Sequence, residues 1–356
     1  MASTAHLGRQ LTIACLVLLL VSLTAIAGCG EEASVEQADD DRELRTTPGR
    51  LDMRDAVSAF EVSVMASQDS YPEGSDVVLI ATGHDWPDAL GGSALAGVLG
   101  GPILFASTNT LPAIVADEIE RLGATRAVVL GGDAALGLNI DDELRRLGLS
   151  VERIAGAGRY ETAERVARRV IEVLGDDYDG TAFVATGGSY ADAVAVAPVA
   201  AARGWPVYLA HPTGGIVTYS ENAYDGVEST IVLGGVNAVH AGAEAHLRND
   251  FSVLRIAGQN RYHTSVMIAE YGIEEAGLSW ARLGMATGED FPDALAGGVL
   301  QGRIGGVMLL TNPDVLDAHT SAALDVYGDQ IVDVTFFGGA DAISQEVRAA
   351  VMQALE

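Results

Sequence analysis

Ala81-Thr82-Gly83-His84-Asp85-Trp86-Pro87-Asp88-Ala89 is met twice more along this chain. It returns as Ala185-Thr186-Gly187-Gly188-Ser189-Tyr190-Ala191-Asp192-Ala193 and as Ala286-Thr287-Gly288-Glu289-Asp290-Phe291-Pro292-Asp293-Ala294. Each copy ends a β-branched apolar run and leads into an Ala- and Gly-rich stretch. A second marker moves in step with the first: Gly131-Gly132, Gly234-Gly235 and Gly338-Gly339, each closing an apolar run. Both recur at intervals of roughly a hundred residues, too long for a solenoid repeat and the size of a small domain. The chain therefore reads as three copies of one module, expected over 49–150, 151–252 and 253–356.

Within a module, short continuous apolar runs alternate with helical stretches. In the second copy strands are expected at Thr181–Ala185, Pro206–Ala210, Thr230–Leu233 and Val253–Ile256, with a helix over Asp192–Ala202. Strands of this kind between helices predict a parallel sheet covered on both faces, the α/β doubly wound, Rossmann-like or flavodoxin-like arrangement. The joins between modules are too short to act as linkers, so neighbours are held rigidly. In the first copy, Gly49-Arg50 leads into an expected helix over Leu51–Met65.

The ends carry a different message. Leu11–Ile26 is an apolar run, followed by Ile26-Ala27-Gly28-Cys29. Small residues before a cysteine at this place predict a lipoprotein signal peptide over 1–28, with a lipid attached to Cys29. Residues 29–48 are acidic and poor in apolar side chains, which predicts a solvated tether. Cys15 and Cys29 are the only cysteines, so the expected mature chain has no disulfide. All its basic residues are arginine, and the net charge is −28. That balance argues against nucleic acid as a partner.

Candidate binding residues follow from the repeats. Thr82, Thr186 and Thr287 end strands, where open α/β sheets place their ligands. Asp88, Asp192 and Asp293 fall just beyond, where a carboxylate either caps a helix or accepts hydrogen bonds from a sugar. Arg159 and Arg261 open helices, an unfavourable place for a cation. Each must meet either a carboxylate, whether of its own or of a neighbouring module, or an anionic ligand. Arg153 and Arg255 lie within strands and are expected to have internal partners. The glycine pairs serve backbone geometry, since neither a P-loop nor Gly-x-Gly-x-x-Gly is present. Nothing marks a catalytic or metal centre: His84, His211, His240, His246, His263 and His319 share no position among the copies, and no nucleophile elbow or His-Glu-x-x-His occurs. No cofactor is expected.

Arg153-Ile154-Ala155-Gly156-Ala157-Gly158-Arg159-Tyr160-Glu161-Thr162 returns as Arg255-Ile256-Ala257-Gly258-Gln259-Asn260-Arg261-Tyr262-His263-Thr264. Together with Ala-Thr-Gly, Pro-Asp-Ala-Leu and Leu-Gly-Gly, these motifs resemble the cell wall-binding repeat type 2 family from about Gly49 to Glu356. The resemblance implies three Rossmann-like units about a pseudo-threefold axis, and noncovalent binding of anionic cell-wall polysaccharide without catalysis. With Cys29 it implies a lipid-anchored, extracytoplasmic protein, monomeric with internal symmetry. Two other classes stay open: a solute-binding lipoprotein serving a transporter, and an adaptor that binds another envelope protein. A hydrolase or transferase acting on wall polymer is a further possibility, with no signature behind it.

Overall fold

The computed structural model describes residues 49–52, 56, 58–213, 215–216 and 222–356. The expected signal peptide, Cys29 and the acidic tether lie outside them. In chain order, the first stretch holds β1 (Gly49–Asp52), α1 (Ala59–Ser70), β2 (Val77–Thr82), α2 (Pro87–Leu99), β3 (Ile103–Ala106), α3 (Ala113–Leu122), β4 (Arg126–Leu130) and α4 (Leu138–Arg146). The second holds β5 (Ser150–Ile154), α5 (Arg159–Leu174), β6 (Thr181–Thr186), α6 (Ala197–Arg203), β7 (Val207–His211), β8 (Gly215–Ile216), β9 (Ser229–Leu233) and α7 (Ala241–Leu247). The third holds β10 (Ser252–Ile256), α8 (Arg261–Ala276), β11 (Arg282–Thr287), α9 (Pro292–Ile304), β12 (Val307–Thr311), α10 (Ala318–Tyr327), β13 (Asp333–Phe336) and α11 (Gln345–Ala354).

These strands form three sheets, ordered β3-β2-β4-β5, β8-β7-β6-β9-β10 and β12-β11-β13-β1. Every pairing is parallel except the short β7–β8 contact. The α/β class, the parallel sheets and the threefold repeat expected from the sequence are all present. The strand that opens each sequence repeat lies at the edge of the sheet before it: β5 on β4 and β10 on β9. The same rule closes the ring, because β1 pairs with β13 in the last sheet, Asp52 opposite Phe336.

Two local expectations are corrected. Leu51–Met65 is not one helix: β1 ends at Asp52 and α1 begins at Ala59. The competing strand has its ladder partner at the far end of the chain, beyond the reach of any local pattern. Asp192–Ala202 is not a single helix either. A short 3-10 turn, Val194–Val196, precedes α6. In α2 and α9 a proline stands at the first helical position, Pro87 or Pro292. Proline there is pre-set for a helix start. The second copy has Ala191 at that place, and Pro198 falls in the first turn of α6, later in the chain.

α2, α6 and α9 pack on one another around the pseudo-threefold axis. They can approach because their facing residues are small. A methyl group at Gly97 would overlap the Ala201 carbonyl, one at Gly298 would overlap Ala197, and one at Gly302 would meet the Pro198 carbonyl. The apolar side chains between sheets and axis form one continuous core, with Leu90 and Leu95 from α2, Val199 from α6 and Leu295 and Leu300 from α9. Each such side chain is worth about 1.5–3 kcal/mol on burial. The outer faces of the first two sheets have their own cores, including Ile80, Leu104 and Ile119 in one and Val184, Tyr208 and Val232 in the other. Stability is therefore shared at the centre and local at the periphery.

Candidate functional site

The loops that follow β2, β6 and β11 carry the repeated motif and meet through their aromatic residues. Thr82, Thr186 and Thr287 are buried. Their hydroxyl oxygens accept the amides of His84, Gly188 and Glu289, at 3.2, 3.2 and 3.1 Å. Each threonine thus folds its own turn. Beyond the turns, Trp86, Tyr190 and Phe291 form an aromatic chain, with ring centroids 6.5 Å apart for Trp86–Tyr190 and 6.1 Å for Tyr190–Phe291. Two of these residues were visible in the sequence beside a proline, but only the fold brings all three together.

Asp88 and Asp293 enter the first turn of their helices without capping them, and Asp192 precedes its 3-10 turn. The expected cap is not made. All three carboxylates instead lie against the first glycine of a Gly-Gly loop: Asp88 on Gly131, Asp192 on Gly234 and Asp293 on Gly338. A side chain at those glycines would collide with the carboxylate, and their φ values of 100°, 86° and 104° also favour glycine.

The two arginines sit at joints between modules. Arg159 donates to the Gly187 carbonyl at 2.9 Å, reaches Asp85 of the preceding module at 3.4 Å and lies 5.7 Å from the centre of the Trp86 ring. Arg261 donates to the Gly288 carbonyl and lies 4.0 Å from Glu289. Both expected roles are therefore compatible. The inner edge of each guanidinium is held by protein, while about a third of each side chain, 37% and 31%, stays exposed. One helical turn further on, Thr162 hydrogen-bonds Asp88, and Thr264 donates to Asp192 at 3.0 Å.

Arg153 and Arg255 do have internal partners. Arg153 donates to the carbonyls of Gly131 and Leu136 and pairs with Asp141. Arg255 donates to those of Gly234 and Val239 and pairs with Glu244. In the third module Arg348, from α11, performs this task on Gly338 and Gly339. Sequence reasoning missed Arg348 because it enters from a helix and lies outside the repeated motif.

Burial dominates the titration of two of the aspartates. It pushes Asp88 up to about 6, helped by Asp85 and opposed by Arg159 and Thr162. It pushes Asp293 up to about 7, with Asp290 adding to the rise. Because Asp293 binds its proton more tightly folded than unfolded, its ordinary value being 3.8, the native state loses stability as pH rises from about 4 to 7. Asp293→Asn should consequently stabilise the fold at pH 8, by at most about 4 kcal/mol at 1.36 kcal/mol per unit, and by almost nothing at pH 4. Urea unfolding of both proteins at the two pH values checks this; a gain independent of pH would contradict it.

Among the described residues no group of His, Cys, Asp and Glu is arranged to hold a metal ion, and no helix is long and apolar enough to cross a membrane. What the strand ends offer is a polar rim over the buried rings of Trp86 and Phe291, with an arginine at two of its three joints.

The same body occurs in known proteins. N-acetylmuramoyl-L-alanine amidase LytC of Bacillus subtilis is 28% identical over 289 residues, 81% of this chain and 55% of the relative. The amidase enhancer of the same organism is 28% identical over 290 residues, 82% of this chain and 38% of that protein. Among solved structures, Cwp8 from Clostridium difficile superimposes with a TM-score of 0.75 at 22% identity, covering 88% of this chain and 52% of Cwp8. Cwp6 from the same organism gives 0.76 at 19%, covering 87% and 48%. The chain spans about half the length of these proteins, or less. The profile of the cell wall binding domain 2 (CWB2) matches residues 56–141, 153–244 and 255–348, and with three matches over most of its length, this chain belongs to that family.

Proposed function

We propose that this chain is a non-catalytic, lipid-anchored envelope protein, a monomer outside the cytoplasm, whose threefold body binds anionic cell-wall glycopolymer. The observation that carries the proposal is the pair of arginines, Arg159 and Arg261, each about a third exposed, at equivalent joints of a body built from three cell wall binding repeats. A guanidinium held on one edge by backbone carbonyl is pre-positioned, so its free edge can meet a phosphate or carboxylate with little further ordering. The aromatic chain at the strand ends braces the joints from beneath, Trp86 and Phe291 being buried, so that contact with a ligand falls to the arginines above it. The net charge of −28 makes such binding local to the two joints. The Bacillus subtilis relatives support the same view: one is named an amidase and the other an enhancer, yet both share this body. A stretch common to two different activities is better suited to placing a protein than to performing its reaction. Cys29 and the apolar run before it supply the lipid end, and a molecule held at both ends gains from the second contact.

Residues 30–356 should sediment with purified walls and lose that ability on walls stripped of anionic polymer. Arg159→Ala/Arg261→Ala should weaken binding by about tenfold or more, about 1.4 kcal/mol, while the circular dichroism spectrum stays that of the native fold. In the full chain Cys29→Ser should release the protein from membranes. Binding that survives both stripping and the double substitution would sink the wall-polymer proposal, and membrane retention of the serine variant would sink the lipid anchor.

A further inference from the structure

The three joints between modules share one plan, and one joint has lost its cation. Phe60, Tyr160 and Tyr262 lie against Gly83, Gly187 and Gly288, which fixes the equivalence of α1, α5 and α8. The residue before each ring is Ala59, Arg159 or Arg261, and the residue two beyond it is Val62, Thr162 or Thr264. So at the joint of the third module with the first, alanine stands where the others have arginine, and valine stands where they have the threonine that bonds the buried aspartate.

The carboxylates on the opposite side have not been lost. Asp290 occupies the place of Asp85, and each uses one oxygen to accept the next amide, Phe291 at 2.8 Å and Trp86 at 3.0 Å. The other oxygen of Asp85 faces Arg159 at 3.4 Å. That of Asp290, and both oxygens of Asp293, have no hydrogen-bond donor or cation among the described residues. Between Ala59 and these carboxylates lies a cavity of about 260 Å³, lined also by Val62 and Asp341.

We propose that this cavity binds a cationic nitrogen group carried by a ligand, an alkylguanidinium or alkylammonium, in the place that the chain's own arginine fills at the other two joints. The volume is too small for a whole drug-sized molecule, whose sites run to roughly 300–1,000 Å³, and suits a short cationic side arm. The walls supply what a guanidinium needs: carboxylates on one side and apolar Ala59 and Val62 for its alkyl stem. Asp293, raised to about 7 by burial and by Asp290, behaves as a carboxylate without its counter-charge. The site goes beyond wall-polymer binding, since it selects a charge opposite to that chosen by Arg159 and Arg261, and its test uses no cell wall.

Propylguanidinium, titrated into residues 30–356 and followed by calorimetry and by NMR, is the direct probe. It should bind at one site and at least tenfold more tightly than propylurea, which has its shape but no charge. Ala59→Arg should abolish that site and raise the melting temperature, since the new side chain fills the cavity as Arg159 and Arg261 fill theirs. Asp290→Asn and Asp293→Asn, which leave the packing intact, should each weaken the probe several-fold even if Ala59→Arg does not fold. Equal binding of propylurea, or probe binding unchanged by both asparagine variants, overturns the proposal.

Discussion

Gly97→Val should cost about 3–5 kcal/mol and lower the melting temperature by roughly 10 °C. In an exposed helix, replacing glycine stabilises, because glycine is the poorer helix former by about 1 kcal/mol. Gly97 reverses that sign. It lies in α2 at its contact with α6, and any β-carbon would run into the Ala201 carbonyl, which is backbone and cannot swing aside. Relief requires the two helices to separate, and that opens the core shared by all three modules. Gly132→Ala is the control: nothing lies near its missing side chain, and it should change stability by less than about 0.5 kcal/mol. Thermal melts of the two variants decide the matter. A Gly97→Val protein as stable as the wild type would mean that the three central helices are not tightly joined.

Arg348→Met should be equally severe, again about 3–5 kcal/mol. Arg348 is fully buried. It donates to the carbonyls of Ile343, Gly338 and Gly339, at 2.9, 2.7 and 3.1 Å, and its guanidinium lies 5.2 Å from the centre of the Phe336 ring. Methionine keeps most of the volume but leaves these carbonyls without their donors in a dry interior. Arg348→Lys should be nearly as damaging, because an ammonium cannot reproduce the planar fork that reaches three acceptors. Arg153→Met should cost less, since that side chain is 15% exposed and water can replace part of what it provides. The measurement is urea unfolding, with amide exchange over residues 338–343 to locate the damage. A loss below about 1 kcal/mol for Arg348→Met would show that the loop holds itself.

Much of this architecture could be read from the chain alone, for identifiable reasons. The strands were legible because a parallel sheet buried on both faces demands continuous apolar runs, and Thr181–Thr186 is one. The arginines were legible because a cation opening a helix contradicts the helix dipole, so Arg159 and Arg261 had to have partners. What local pattern could not supply was the identity of distant neighbours. Asp88 and Asp293 stand where a helix cap belongs, and only the fold shows that Gly131 and Gly338 receive them. The stretches that become α2 and α9 read only as Ala- and Gly-rich, whereas the structure shows Gly97, Gly298 and Gly302 facing the neighbouring α6. Leu51–Met65 has the composition of a helix, and its opening residues became a strand because β13 was there to pair with. That Ala59 stands where the other copies have an arginine emerges only when the three joints are compared in space.

That first strand bears on how the molecule is made. Gly49–Asp52 pairs with Asp333–Phe336, so the earliest part of the folded body to be synthesised has its hydrogen-bonding partner in nearly the last. The first two sheets draw their edge strands, β5 and β10, from segments that follow within a few residues of α4 and α7, and they can assemble as the chain emerges. The third cannot: its missing edge was made first and must be kept waiting. Closing so long a loop carries the greatest entropic cost of any strand pairing in the body. Maturation of this protein is accordingly a vectorial process with a late, single closing event, in which the beginning of the chain returns to meet its end.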